Sequence, residues 1–323
     1  MSKPKVFVTR KWPASIEAKL KTLYDVTLNE DDRPLTADEF KSALQNYDAV
    51  CPTVCDSLPA EVINVDNKRC KILGNFGVGY NHIDIPAAKA QGLIVTNTPG
   101  VLTHSTADIA MTLMLMSARR GAEGDRLVRA KQWQGWCPTH MLSSDVTGAT
   151  LGLIGFGRIA QAMAKKAHHG FGMKIVYFKP SPADDYVVED LNATRCASIE
   201  ELLQSADYVS LHCPGGESTR HLINADRLKL MKPTAHLINT ARGDVVDSIA
   251  LIEALKNKQI AGAGLDVYEG EPNVHEGFLN LDNVSLLPHL GSATLGTRTA
   301  MGEKVLANLA AFFAGHQLPD RIA

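Results

Sequence analysis

A chain of 323 residues exceeds the roughly 250–300 over which one hydrophobic core keeps growing, so two domains are expected, and 45% apolar with 21% charged residues excludes an intrinsically disordered chain. The net charge of −2, without any long like-charge block, provides no positive field for nucleic acid. The richest apolar stretch, Ile109 to Met116, is far short of the ~20 residues of a membrane span.

The N-terminal MSKPKVFVTR enters a strand pattern directly, without the apolar stretch and cleavage site of a signal peptide, which points to a cytoplasmic protein with no membrane partner. Strand candidates follow at Lys5 to Thr9, Ala49 to Thr53, Lys71 to Phe76 and Leu93 to Asn97, separated by helix-length amphipathic stretches. Thr36 with Glu39 forms a capping-box pattern on one of these helices. Such alternation predicts an α/β protein whose parallel strands are joined by crossover helices.

A long helix is predicted from about Thr103 to Lys131. Beyond it a second series of strands begins with LGLIG after Thr150 and continues through Lys174 to Phe178, Asp207 to His212, Ala235 to Thr240, Gly262 to Val267 and Val284 to His289. Ser198 with Glu201 suggests another capping box, and Leu251, Ala254 and Leu255 make an inward helical stripe. A last helix is expected from Leu295 to Gly315. The two long helices flank the second series, which predicts a domain at 101–290 inserted into one made of 1–100 and 291–323. The cysteines at 51, 55, 70, 137, 196 and 213 are scattered, so buried thiols are expected, with neither a disulfide framework nor a metal site.

Gly155, Gly157 and Ala160 read GxGxxA between the apolar strand 151–154 and a helical stretch opened by Arg158 and Ile159. Gly155 permits the tight turn, Gly157 the approach of a pyrophosphate, and Ala160 close helix-to-strand packing, while free amides at the helix start face the anion. The strand after this motif ends not in the acidic residue that favours the ribose hydroxyls of NAD but in Lys179, followed by Ser181. NADP(H) is therefore the preferred cofactor with NAD(H) possible; alternatively Lys179 only points into water.

Arg242, Glu271 and His289 stand at strand ends of the second series, where such sheets hold ligands. A 2-oxo acid requires a fixed cation, and a proton donor at the oxygen that gains charge on reduction; arginine and a carboxylate-held histidine supply them. Each also has a plain alternative, as surface ion pair, loop charge or satisfied histidine beside a proline.

Over nearly its whole length the chain resembles the D-isomer-specific 2-hydroxyacid dehydrogenases, and within them the glycerate dehydrogenase, hydroxypyruvate and glyoxylate reductase branch. The segments GVGYNHID (77–84), VTNTPGVLTHSTAD (95–108), GLIGFGRIAQAMA (152–164), SLHCPGGESTRHLI (210–223), LINTARGDVVD (237–247), GAGLDVYEGEP (262–272) and LLPHLGSAT (286–294) carry the resemblance. It implies a Rossmann cofactor domain inserted in a flavodoxin-like substrate domain, and reduction of a small 2-oxo acid with Arg242, Glu271 and His289 as catalytic residues. It further implies that Val78 and Gly79 amides receive the substrate carboxylate, that Thr103 and Asp266 orient the nicotinamide, and that Pro214 and Thr219 line the adenosine side. Ala241 and Gly291 are further candidate cofactor residues. In this branch a homodimer partner lends a tryptophan to the site, and Trp136 matches that position; a buried core tryptophan is the alternative. A dinucleotide-sensing, corepressor-like binding protein of the same fold is the rival function.

Overall fold

A computed structural model describes residues 2–181 and 183–323. Its strands are short and pair in parallel within two sheets. The chain divides into two units, Met1–Leu102 with Ala293–Ala323, and Thr103–Ser292.

The first unit contains β1 (Lys5–Val8), β2 (Asp25–Leu28), β3 (Ala49–Cys51), β4 (Ile72–Gly74) and β5 (Ile94–Thr96), in the order β2-β1-β3-β4-β5. This is the flavodoxin-like doubly wound order, with its switch point between β1 and β3. Every residue of β3 and β4 is buried, as expected of parallel strands covered on both faces. The sequence pattern missed β2, an edge strand with alternating exposed and half-buried residues. The Thr36 capping box forms, with the hydroxyl accepting from the Glu39 amide and the Glu39 carboxylate from the Thr36 amide.

The second unit contains β6 (Thr150–Ile154), β7 (Lys174–Phe178), β8 (Thr194–Arg195), β9 (Tyr208–Leu211), β10 (His236–Asn239), β11 (Gly262–Leu265) and β12 (Val284–Leu286). Their order, β12-β11-β10-β9-β6-β7-β8, is the Rossmann order extended by one strand, with the switch point between β6 and β9. The unpredicted β8 is a two-residue exposed edge strand, too short to leave a periodic signal.

Two expectations about helices need correction. The helix expected from Thr103 to Lys131 is two helices, Thr103–Ala118 and Gly121–Arg129. The break falls at Arg120, which adopts a left-handed conformation (φ 53°) while its guanidinium pairs with Glu123. The Ser198 box is half formed: the hydroxyl accepts from the Glu201 amide, but the Glu201 carboxylate reaches the Ala197 amide instead of that of Ser198. The helix Thr103–Ala118 packs closely on β11 because that strand carries glycine; a Cβ on Gly264 would lie 2.8 Å from Leu113 Cβ. Cys51, Cys70 and Cys196 are buried as expected, whereas Cys55 and Cys137 are exposed. Among the described residues no helix is long and apolar enough to cross a membrane.

Candidate active site

The glycine turn joins β6 to the helix Arg158–Phe171. Gly155 has φ +85°, and a Cβ there would lie 2.8 Å from the Cys213 amide nitrogen, so only glycine lets the turn pass the end of β9. At the helix N-cap, Gly157 has open space where a Cβ would stand, and no side chain caps the helix. An uncapped N-terminus behind an open glycine has the donors and positive dipole end that a diphosphate requires. Ala160 is fully buried, consistent with close packing of this helix. Along the same edge, the Thr219 hydroxyl donates to the carbonyl of Pro214 (2.7 Å), bracing the loop after β9.

Beyond β10 the Asn239 side chain ties the loop: its Oδ1 accepts from the Ala241 amide (3.0 Å) and its Nδ2 donates to the Arg242 carbonyl (2.8 Å). The Arg242 stem packs against Gly215, where a Cβ would come within 2.7 Å of Arg242 Cγ. Burial pulls the Arg242 guanidinium below its ordinary range, and the charges of Glu271 and Asp244 oppose that shift. The neighbouring Thr240 hydroxyl is buried without a hydrogen-bond partner, a further polar atom able to receive a ligand group.

The loop after β12 carries His289, which has φ +54°, an uncommon backbone state for a residue with a side chain. Asp266, following β11, holds it: its carbonyl accepts from the His289 amide (2.9 Å), and its carboxylate from the amides of Leu290 (2.6 Å) and Gly291 (2.8 Å). Burial raises the Asp266 carboxyl, with those amides opposing. The Thr106 hydroxyl donates to the Gly291 carbonyl (3.0 Å), tying this loop to the helix that Thr103 opens.

His289 Nδ1 lies 2.8 Å from Glu271 Oε2. Burial works to raise the Glu271 carboxyl, but His289, the Tyr268 amide and Arg242 outweigh it and hold the group below its usual range. The carboxylate thus stays ionised and fixes Nδ1 as the protonated nitrogen, leaving Nε2 with no hydrogen-bond partner among the described residues. Gly243 is fixed sterically, since a Cβ would fall 1.9 Å from the Tyr268 carbonyl carbon on the loop leading to Glu271.

In the first unit, Val78 and Gly79 follow β4. Asn75 Nδ2 donates to the carbonyls of Gly77 (3.1 Å) and Gly79 (3.0 Å), and Asn97 Nδ2 to that of Val78 (2.9 Å). With the carbonyls turned inward, the Val78 and Gly79 amides have no protein acceptor among the described residues, as in an anion-binding nest. Sequence reasoning missed Asn75, Asn97 and Asn239 because their role lies in tertiary hydrogen bonds to loops; an asparagine at the end of a strand was the only signal. Lys179 and Ser181 follow β7, with Lys179 half-buried. Trp136 is 82% exposed, which corrects the alternative of a buried core tryptophan.

Residues 111–291 match the family model for the D-isomer specific 2-hydroxyacid dehydrogenase NAD binding domain. The chain belongs to the D-isomer specific 2-hydroxyacid dehydrogenase family. A glyoxylate reductase of Thermococcus onnurineus is 44% identical over 324 residues, covering 99% of this chain and 96% of that protein. A glycerate dehydrogenase of Hyphomicrobium methylovorum is 37% identical over the full length of both. Among solved structures, the NADPH-dependent glyoxylate/hydroxypyruvate reductase of Sinorhizobium meliloti, in complex with NADP and malonate, superposes with a TM-score of 0.86 at 35% identity, covering 100% of this chain and 97% of that one. The family's two-sheet α/β architecture and the glyoxylate and hydroxypyruvate reductase branch are those anticipated from the motifs.

Proposed function

We propose that the protein reduces glyoxylate or hydroxypyruvate to glycolate or D-glycerate, using NADPH in preference to NADH. One observation carries the chemistry: an imidazole bonded through Nδ1 to an ionised carboxylate, with Nε2 open, whose Glu271 also feels the Arg242 charge, on the sheet edge that bears the glycine cradle. The second unit is assigned to the dinucleotide and the first to the substrate.

A bound reduced nicotinamide dinucleotide supplies the hydride that converts C2 of the oxo acid to the alcohol carbon. Arg242 orients the substrate through its guanidinium fork and stabilises charge gathering on the carbonyl oxygen. His289 Nε2 gives its proton to that oxygen, and Glu271 stabilises the imidazolium before the transfer and keeps the ring aligned. In oxidation the same nitrogen accepts the proton. The amides of Val78 and Gly79 are assigned to the substrate carboxylate. Arg158, Ile159, Pro214, Thr219, Ala241, Asp266, Gly291 and Thr103 are assigned to the dinucleotide.

Lys179 in place of an acidic residue, with Ser181 beside it, supports the NADP preference, as does the coenzyme named for the S. meliloti relative. The exposure of Trp136 supports a homodimer in which this side chain reaches the partner's site. The corepressor-like alternative is not favoured by relatives named as reductases and dehydrogenases. The test is a spectrophotometric panel crossing NADPH and NADH with glyoxylate, hydroxypyruvate, pyruvate and a bulky 2-oxo acid. Fastest turnover is expected with NADPH and either glyoxylate or hydroxypyruvate; no turnover with any of the four oxo acids would sink the reading.

A further inference from the structure

The edge strand β8 runs beside β7 with Arg195 in register with Tyr177, and the Cys196 amide donates to the Tyr177 carbonyl (2.8 Å). Arg195 is thereby placed two residues short of the level at which Lys179 leaves β7. Its Nη2 donates to the carbonyls of both Lys179 (3.0 Å) and Pro180 (2.9 Å). Nε and Nη1 have no acceptor among the described residues, and no carboxylate among them pairs with either Lys179 or Arg195. Arg195 is therefore held against the backbone of the turn that carries Lys179, with no neutralising acid among the described residues.

We propose that Arg195 is a second cation of the cofactor's ribose 2′-phosphate seat, holding the turn that carries Lys179 and donating to the phosphate beside it. This inference rests on the reading that NADP is preferred. The two carbonyl bonds fix the guanidinium, and among the described residues no carboxylate offsets its charge, which is the condition under which a planar fork binds phosphate oxygens best. A mere brace for the turn requires hydrogen-bond donors but no net charge. A free 2′-hydroxyl would gain little from Arg195, so the residue discriminates between coenzymes and does not simply bind both. The motif search did not find it, because it lies on a different strand from the glycine turn and from Lys179.

The test uses Arg195→Met, which retains the apolar stem, and Arg195→Lys, which retains the charge without the fork. Steady-state constants with glyoxylate are measured for both coenzymes. Calorimetry on the coenzyme-free protein compares adenosine 2′,5′-bisphosphate with 5′-AMP. Loss of a charge-assisted phosphate contact should raise KM for NADPH in Arg195→Met about tenfold or more beyond any change in KM for NADH. Binding of the bisphosphate should weaken in parallel while 5′-AMP binding holds, and Arg195→Lys should recover part of both losses. A wild type that prefers NADPH, with an unchanged coenzyme ratio in Arg195→Met, overturns the role of Arg195 alone. Equal rises in both KM values would reduce it to a structural brace and overturn the proposal too. A wild type indifferent to the 2′-phosphate overturns the coenzyme reading itself, and the wild-type arms reveal this before any variant is compared.

Discussion

His289 is held in a left-handed backbone state by three hydrogen bonds to Asp266 from itself and the two residues that follow, and Glu271 occupies its Nδ1. Such over-determination of an uncommon conformation is how strain persists where function requires a fixed group. His289→Ala should lower turnover by about 10²–10⁴-fold, the usual worth of a positioned acid or base, with dinucleotide binding intact by fluorescence titration. Glu271→Gln is the finer probe. The carboxyl is ionised across the neutral range because its folded value lies below the usual one, so the substitution removes a full negative charge from beside the imidazole. The ring then keeps a hydrogen-bond partner but loses the charge that stabilises the imidazolium, so reductive kcat should fall while dinucleotide binding holds. A kcat equal to that of the wild type would show that Glu271 only orients.

At the level of loops and strands, the carbonyls of residues 77–79 are fixed by asparagines from two strand ends. Asn97→Ala leaves the Val78 carbonyl without its donor and frees the following amide to rotate. KM for the oxo acid should rise several-fold, in line with about 1 kcal/mol for one hydrogen bond, while KM for the coenzyme stays constant. If the coenzyme KM rises equally, the loop is not serving the substrate. These asparagines also show what sequence reading reaches. The GxGxxA turn was legible because its turn, its open face and its helix start are contiguous in the chain, and the buried strands because they are unbroken apolar runs. Arg242, Glu271 and His289 stood out only as polar residues at strand ends, and the resemblance named them. By contrast, β2 and β8 lie at sheet edges where half the residues face solvent, so their runs are short and polar. The helix break at Arg120 is equally hidden, since arginine has no preference for the left-handed region. Arg195 acquires its neighbours only when β8 pairs with β7.

For the whole molecule, the site and a titrating structural group occupy opposite ends of one sheet. Strand β10 ends toward Arg242 but begins at His236, which is 3% exposed. There the ring stacks on Tyr208 at 5.2 Å; its Nδ1 meets the Ser117 hydroxyl (2.8 Å) and its Nε2 the Ser144 hydroxyl (3.1 Å). Gly262 on β11 makes room, since a Cβ there would lie 3.0 Å from Nδ1. Burial lowers the imidazole from 6.5 to about 4. The unfolded chain thus binds this proton between pH 6.5 and about 4 while the folded one does not, and stability falls as pH drops through that window. Above 6.5 both states are neutral and the contribution is complete. At the acid end the loss is of order 3 kcal/mol for this one group. His236→Gln keeps polar atoms near both serines but cannot titrate, so its stability at neutral pH should be lower and its decline toward pH 4.5 shallower than the wild type's. Urea midpoints collected from pH 7.5 to 4.5 measure both slopes, and parallel declines would exclude His236 as the source of acid lability. Because the ring lies at the far end of β10 from the catalytic loops, KM and kcat of the variant at pH 7.5 should match the wild type's, separating a loss of fold stability from a loss of chemistry.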